Sequence, residues 1–270
     1  MKRAANPSGK RPGADREIMR ASTVDLVADT ARAAAARRTM VWTAGGLATA
    51  ATVAGGWLAP PDAVQGPAQR LMYLHVPAAW VAYAAFAVVL AASGAYLVGG
   101  ELRWDRFARA GAEIGVVLTA VAIATGSLWG RLVWGAWWAW DPRLVSTALL
   151  LLAYAGYLAL RRAVSDRTDV RDGDDHRVAR PAALVGILGF LLVPVVHFSV
   201  VWWRSLHQQA TVFAPQRPPI DPRMALALLL AVAAATLAAL CVLLHRVVRL
   251  ERRLAADAPR TADRVPARVG

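Results

Sequence analysis

Apolar residues along this chain gather into long blocks parted by short polar stretches. Blocks near the length of a bilayer span fall at 40–59, 78–99, 112–130, 144–160, 181–203 and 224–244. Crossing the hydrocarbon core takes about 20 largely apolar helical residues. The pattern therefore predicts an all-α membrane protein with six transmembrane helices. The first block is the least regular, because Gly45, Gly46, Gly55 and Gly56 lower its helix propensity. A basic N-terminus before an apolar block also describes a signal peptide, but this run exceeds the usual signal core and is read as a span. The organisation expected is a basic, partly disordered arm over 1–39, a membrane domain over 40–250 and a basic tail over 251–270.

Charge sets the expected orientation, since cytoplasmic loops retain lysine and arginine. The N-terminal arm carries nine such residues, the loop of 100–110 three, the loop of 161–180 six and the C-terminal stretch beyond the last apolar block, 245–270, seven. The opposite face holds only Arg70, Arg131, Arg143, Arg204, Arg217 and Arg223. Both termini are expected in the cytoplasm. A net charge of +13 would suit nucleic acid, but basic residues split among four membrane-flanking segments follow topology, so no nucleic-acid partner is expected. The arm, with Lys2, Arg3, Lys10 and Arg11, is placed to touch anionic lipid.

The single cysteine, Cys241, rules out a disulfide framework, a cysteine zinc cluster and a CxxCH haem-attachment motif. There is no GxxxxGK[ST] phosphate loop, so any ATP-driven step belongs to a partner. Of 11 tryptophans, nine lie on the sparsely charged outer side: Trp57, Trp80, Trp129, Trp134, Trp137, Trp138, Trp140, Trp202 and Trp203. Interfacial belts explain single tryptophans at either face. They do not explain WGRLVWGAWWAWDPR over 129–143, which packs five indoles between the third and fourth spans. Indoles present rigid apolar faces suited to a flat ligand such as a porphyrin, and Gly130 and Gly135 are expected to let this outer loop turn and lie along the interface.

Asp141 and Pro142 form a helix-start signal, Asp at the N-cap and Pro at the first helical position. Arg131 and Arg143 are expected to be free to pair with ligand carboxylates. Iron needs axial donors, and neutral imidazole is the usual one. His176 and His245 sit on the charged side and read as surface residues. His75, just before Pro77, and His207, four residues after Trp203, both lie at the level of the tryptophans. If the helix of the fifth span continues, His207 lies one turn beyond Trp203. His197 would then sit about 15 Å deeper, too far to share one iron, and reads as a packing or supporting residue.

WGAWWAWDPR resembles the tryptophan-rich signature of the haem-handling superfamily of cytochrome c maturation. The segments YLHVPAAW and WWRSLHQ, the chain length and the six spans resemble its haem exporter protein C branch, CcmC, over roughly residues 40–250. The WDP form is shared with the larger synthetase branches, CcmF and CcsA, so size and histidine context make the choice. The resemblance implies a bacterial inner-membrane protein that holds haem b transiently and non-covalently at its periplasmic face. His75 and His207 would ligate the metal, with Trp129, Trp134, Trp137, Trp138, Trp140, Asp141 and Arg143 around it. It further implies delivery of haem to the chaperone CcmE, action with the CcmA and CcmB ATPase complex and with CcmD, and no ATPase activity of its own. Alternatives are a haem lyase or synthetase component, a small-molecule permease, which would need polar groups at mid-membrane, and a respiratory subunit, which would need histidines paired deep within two spans.

Overall fold

A computed structural model describes residues 14–168, 176–207 and 220–256. The chain divides into a unit of 1–43, helical from Ala14 onward, and a unit of 44–270 that holds all the remaining elements. Helix α1 covers Ala14–Leu58, and a 3-10 turn over Pro67–Leu71 leads into α2, Met72–Gly99. Then follow α3, Leu102–Trp134; α4, Pro142–Thr168; α5, His176–Phe190; α6, Leu192–Trp202; and α7, Pro222–Ala256. The only β pairing among the described residues is an isolated bridge from Asp62 to Gly66.

Among the described residues five segments are long and apolar enough to span a membrane: Pro67–Gly99, Leu102–Trp134, Pro142–Ser165, His176–Trp202 and Pro222–Arg252. The expected first span over 40–59 is not among them. Its four glycines and its threonines dilute the apolar run, and Thr43, Thr49 and Thr52 each turn a hydroxyl back to the carbonyl four residues earlier.

Helices run well past the apolar blocks that announced them. The expected loop of 100–110 is helical from Leu102, because Gly100 adopts the left-handed conformation and, with Glu101, suffices to reverse the chain. The fifth span is broken at Leu191 into α5 and α6. Pro194 lacks the N–H that would bond to the Phe190 carbonyl, and the break falls at that point.

Helix α2 lies centrally, packed on α3, α5 and α7. Small side chains bring α2 and α3 close, as is usual where lipid removes the hydrophobic drive between helices. Ala82, Ala85 and Ala92 of α2 and Ala108 and Ala112 of α3 are buried. The Phe86 ring lies directly against Gly115, where a Cβ would come within 2.7 Å of Phe86 Cδ1, and it stacks on Tyr154 with centroids 3.9 Å apart. The end of the bundle where α3 starts and α4 finishes is tied by a buried bidentate pair, Arg161 to Asp105, at 2.7 and 2.6 Å. About two turns further along α3, Arg246 of α7 bonds to Glu113.

Candidate functional site

The opposite end of the bundle collects the start of α2, the end of α3, the start of α4 and the end of α6, and the predicted site residues with them. His75 sits one residue into the second half-turn of α2, so Pro77 lies inside that helix and does not start it. Its Nδ1 lies 2.9 Å from the Ala122 carbonyl and 3.2 Å from Thr125 Oγ1. The carbonyl is only an acceptor, so Nδ1 carries the proton and donates, and Nε2 keeps its lone pair. Thr125 sends its own proton to the Val121 carbonyl at 2.8 Å, leaving its oxygen to accept from His75. Trp129, one turn further along α3, meets the His75 ring edge-on at 5.9 Å, with its indole N–H held by Gln65 Oε1 at 2.9 Å.

Asp141 is buried and has a double task. It starts α4 as expected, with Oδ1 accepting the Arg143 N–H at 2.9 Å and its carbonyl accepting the Val145 N–H. The same carboxylate binds the segment after α6: Leu206 N–H donates to Oδ2 at 2.7 Å and the Ser205 hydroxyl to Oδ1 at 3.1 Å. Burial pushes the Asp141 carboxyl up, but the bonds from Leu206, Ser205 and Arg143 and the field of His207 outweigh it and hold it below the usual carboxylate range.

That clasp, and not a continuing helix, brings His207 to the site. Helix α6 ends at Trp202, and Trp203 is extended with φ −129°. The His207 ring meets Trp134 edge-on at 5.1 Å, while its Nδ1 lies 3.7 Å from Asp141 Oδ1, too long for a hydrogen bond. Burial lowers the His207 pKa from 6.5 to about 4; the Arg143 charge adds to this, Asp141 opposes it, and His75 is near enough for its charge to lower it further. A released His207 takes a proton below pH 6.5, whereas the docked ring does so only near 4. The docked arrangement therefore weakens as pH falls from 6.5 towards 4. Ligand retention measured from pH 8 downward should be flat to 6.5 and decline below it, and a midpoint above 6.5 would contradict this assignment.

The tryptophan-rich segment is less of a loop than expected. Trp129 to Trp134 remain in α3, Gly130 is helical, and the turn is made by Gly135 alone, at φ +77°. Arg131 is not free, since its guanidinium donates to the Gly135 carbonyl and closes the end of α3. The Arg143 guanidinium lies near enough to act on both His75 and His207. Trp137 and Trp140 are exposed, at 59% and 86%, and Trp138 crosses Trp140 edge-on at 6.1 Å. Their rings are available to a ligand or to lipid. An open cleft of about 310 Å3 runs beside Asp141 between Trp140 and Arg204. His197 lies on α6 against Tyr83 and Phe198. Among the described residues no three His, Cys, Asp or Glu side chains gather as a metal cluster.

Residues 23–260 match the family model described as CcmC, heme exporter protein C. The chain belongs to the haem exporter protein C family. It is 39% identical over 226 residues to a heme exporter protein C of Bradyrhizobium diazoefficiens, covering 82% of this chain and 81% of that one. It is likewise 39% identical over 175 residues to the protein of that name from Escherichia coli K12, covering 63% and 66%. A ccmC-like mitochondrial cytochrome c biosynthesis protein of Marchantia polymorpha is 31% identical over 156 residues, 58% of this chain and 62% of its own. As a member of the haem exporter protein C family, this multi-pass membrane protein acts in haem handling for cytochrome c maturation.

Four residues of this family member were not singled out from sequence: Ala122, Thr125, Gly126 and Ser205. The first three, with Trp129, occupy one face of α3 at helical spacing, and the signal available was a stripe of small residues leading up to a tryptophan. Gly126 is the most constrained, since a Cβ there would lie 2.8 Å from His75 Cε1 and 3.2 Å from Nδ1. Gly126→Ala is expected to displace the imidazole and lower haem affinity about tenfold, equivalent to about 1.4 kcal/mol, in a Soret titration. Wild-type affinity in that variant would show that the ring is not a ligand.

Proposed function

We propose that this protein holds haem b transiently and non-covalently at the periplasmic face of a bacterial inner membrane, with His75 and His207 as axial ligands, and passes it to the chaperone CcmE. The observation that carries the reading is the pair of imidazoles at one end of the bundle, each met edge-on by a tryptophan of α3. His75 directs Nδ1 at a backbone carbonyl, the support that metal-bound histidines ordinarily have, and so offers Nε2. His207 turns Nδ1 towards Asp141 and so offers Nε2 as well.

Arg143 would balance haem propionates, and Trp137, Trp138 and Trp140 would cover the porphyrin. A site at a bundle end leaves an edge of the cargo accessible to an acceptor. The charge distribution supports a six-span arrangement with both termini cytoplasmic, the block at 40–59 being the first span, added to the five in the helices above. Energy for release would come from CcmA and CcmB, with CcmD in the complex.

The test is the absorption spectrum of the purified full chain with added ferric haem. A low-spin, six-coordinate spectrum is expected, changing to high-spin on replacement of His75 or His207 by alanine. If the wild-type chain takes up no haem, or if both alanine variants keep the low-spin spectrum, the reading fails.

A further inference from the structure

We infer that the two imidazoles are unequal: His75 is the fixed axial ligand, and His207 is the one that lets go when the cargo leaves. This rests on the haem-ligand reading above and assigns an order to it. His75 is held by groups that belong to helix interiors. Its Nδ1–H is shared between the Ala122 carbonyl and Thr125 Oγ1, and its ring lies on the bare Cα of Gly126. Neighbouring Tyr73 and Pro77 are buried, so His75 cannot withdraw unless α2 parts from α3, its most extensive partner.

His207 has no such anchor. It lies outside any helix, its Nδ1 is buried without a hydrogen-bond partner, and its backbone N–H donates to Ser205 Oγ at 3.1 Å. Ser205 in turn donates to Asp141, beside the Leu206 bond to the same carboxylate. All three bonds of this segment therefore run to Asp141 or through Ser205 to it. Releasing them lets His207 swing away at the loss of one edge contact, to Trp134 at the end of α3, and without parting two helices. The exchange is a ligand substitution: the His207 Nε2–iron bond breaks, and the lone pair of a nitrogen donor on the acceptor forms the new one. No electron moves, and His207 leaves neutral, with its Nδ1 proton in place. Ser205 is a positioning residue for the labile ligand and Thr125 for the fixed one.

Stopped-flow displacement by cyanide, followed at the Soret band of the ferric haem-loaded full chain, tests this. Ser205→Ala should speed displacement about tenfold, and Ser205→Thr, which keeps the hydroxyl, should return it to the wild-type rate. Thr125→Val should leave the rate within about twofold, yet raise the haem reduction potential, since a weaker hydrogen bond from Nδ1 makes His75 a poorer donor. Equal acceleration by Thr125→Val and Ser205→Ala, or no acceleration by Ser205→Ala, overturns the order proposed. A wild-type chain that binds no haem removes the ligand reading and this inference together, and is told apart by the absent Soret band.

Discussion

Asp141→Ala is expected to lower haem affinity about 100-fold while leaving the protein folded in the membrane. Three donors lose their acceptor at once: the N–H of Arg143, the hydroxyl of Ser205 and the N–H of Leu206. The lost helix cap accounts for about 1 kcal/mol. Each bond to the charged carboxylate adds about 1.5–3 kcal/mol, and those from Ser205 and Leu206 are what hold His207 beside Trp134. Most of the effect should therefore appear in haem binding, and little in the melting temperature. Asp141→Asn separates the two tasks, since its amide oxygen can still cap α4 while its nitrogen, facing the Leu206 N–H, cannot accept. It should keep the helix start and lose most of the affinity. Wild-type affinity in Asp141→Asn would show that the clasp on Leu206 does not hold the ligand.

The largest effect on stability is expected at the other end of the bundle. Asp105 and Arg161 are 2% and 1% exposed and joined by two short bonds, with Tyr157 Oη 3.2 Å from the guanidinium. Asp105→Ala removes the carboxylate that both terminal nitrogens of this buried guanidinium bond, at a cost of about 3–5 kcal/mol. Thermal unfolding in detergent should show it as a large fall in midpoint, with reduced yield of folded protein. The double variant Asp105→Asn, Arg161→Met should recover a substantial part, because it removes both charges and not one. If the two single losses simply add in the double variant, the pair is not coupled.

Both predictions concern contacts between residues more than 50 positions apart, and that distance marks where sequence reading stopped. Asp141 was legible as a helix cap because its partner, Arg143, is two residues away. Its hold on Leu206 was not legible, because it depends on α6 ending at Trp202 and on how α4 and α6 lie side by side. His207 was assigned to the right neighbourhood through a helix that in fact ends five residues earlier. Arg131 was read as free because its acceptor, the Gly135 carbonyl, is exposed only by the left-handed turn at that glycine.

By itself the sequence determined that the chain is helical and membrane-spanning and which helix ends carry the tryptophans and histidines. It also carried the tryptophan-rich signature and histidine contexts through which the chain's membership of the haem exporter protein C family was legible. These follow from block length, charge asymmetry and residue type, all of which are properties of local stretches. Only the tertiary structure decided which nitrogen of His75 is left free, that Gly126 makes room for its ring, and that one carboxylate holds the second imidazole. Those depend on the register and spacing of helices against one another, and many registers would bury the same apolar faces equally well. The small-residue contacts between α2 and α3 and the break at Leu191 select one of them.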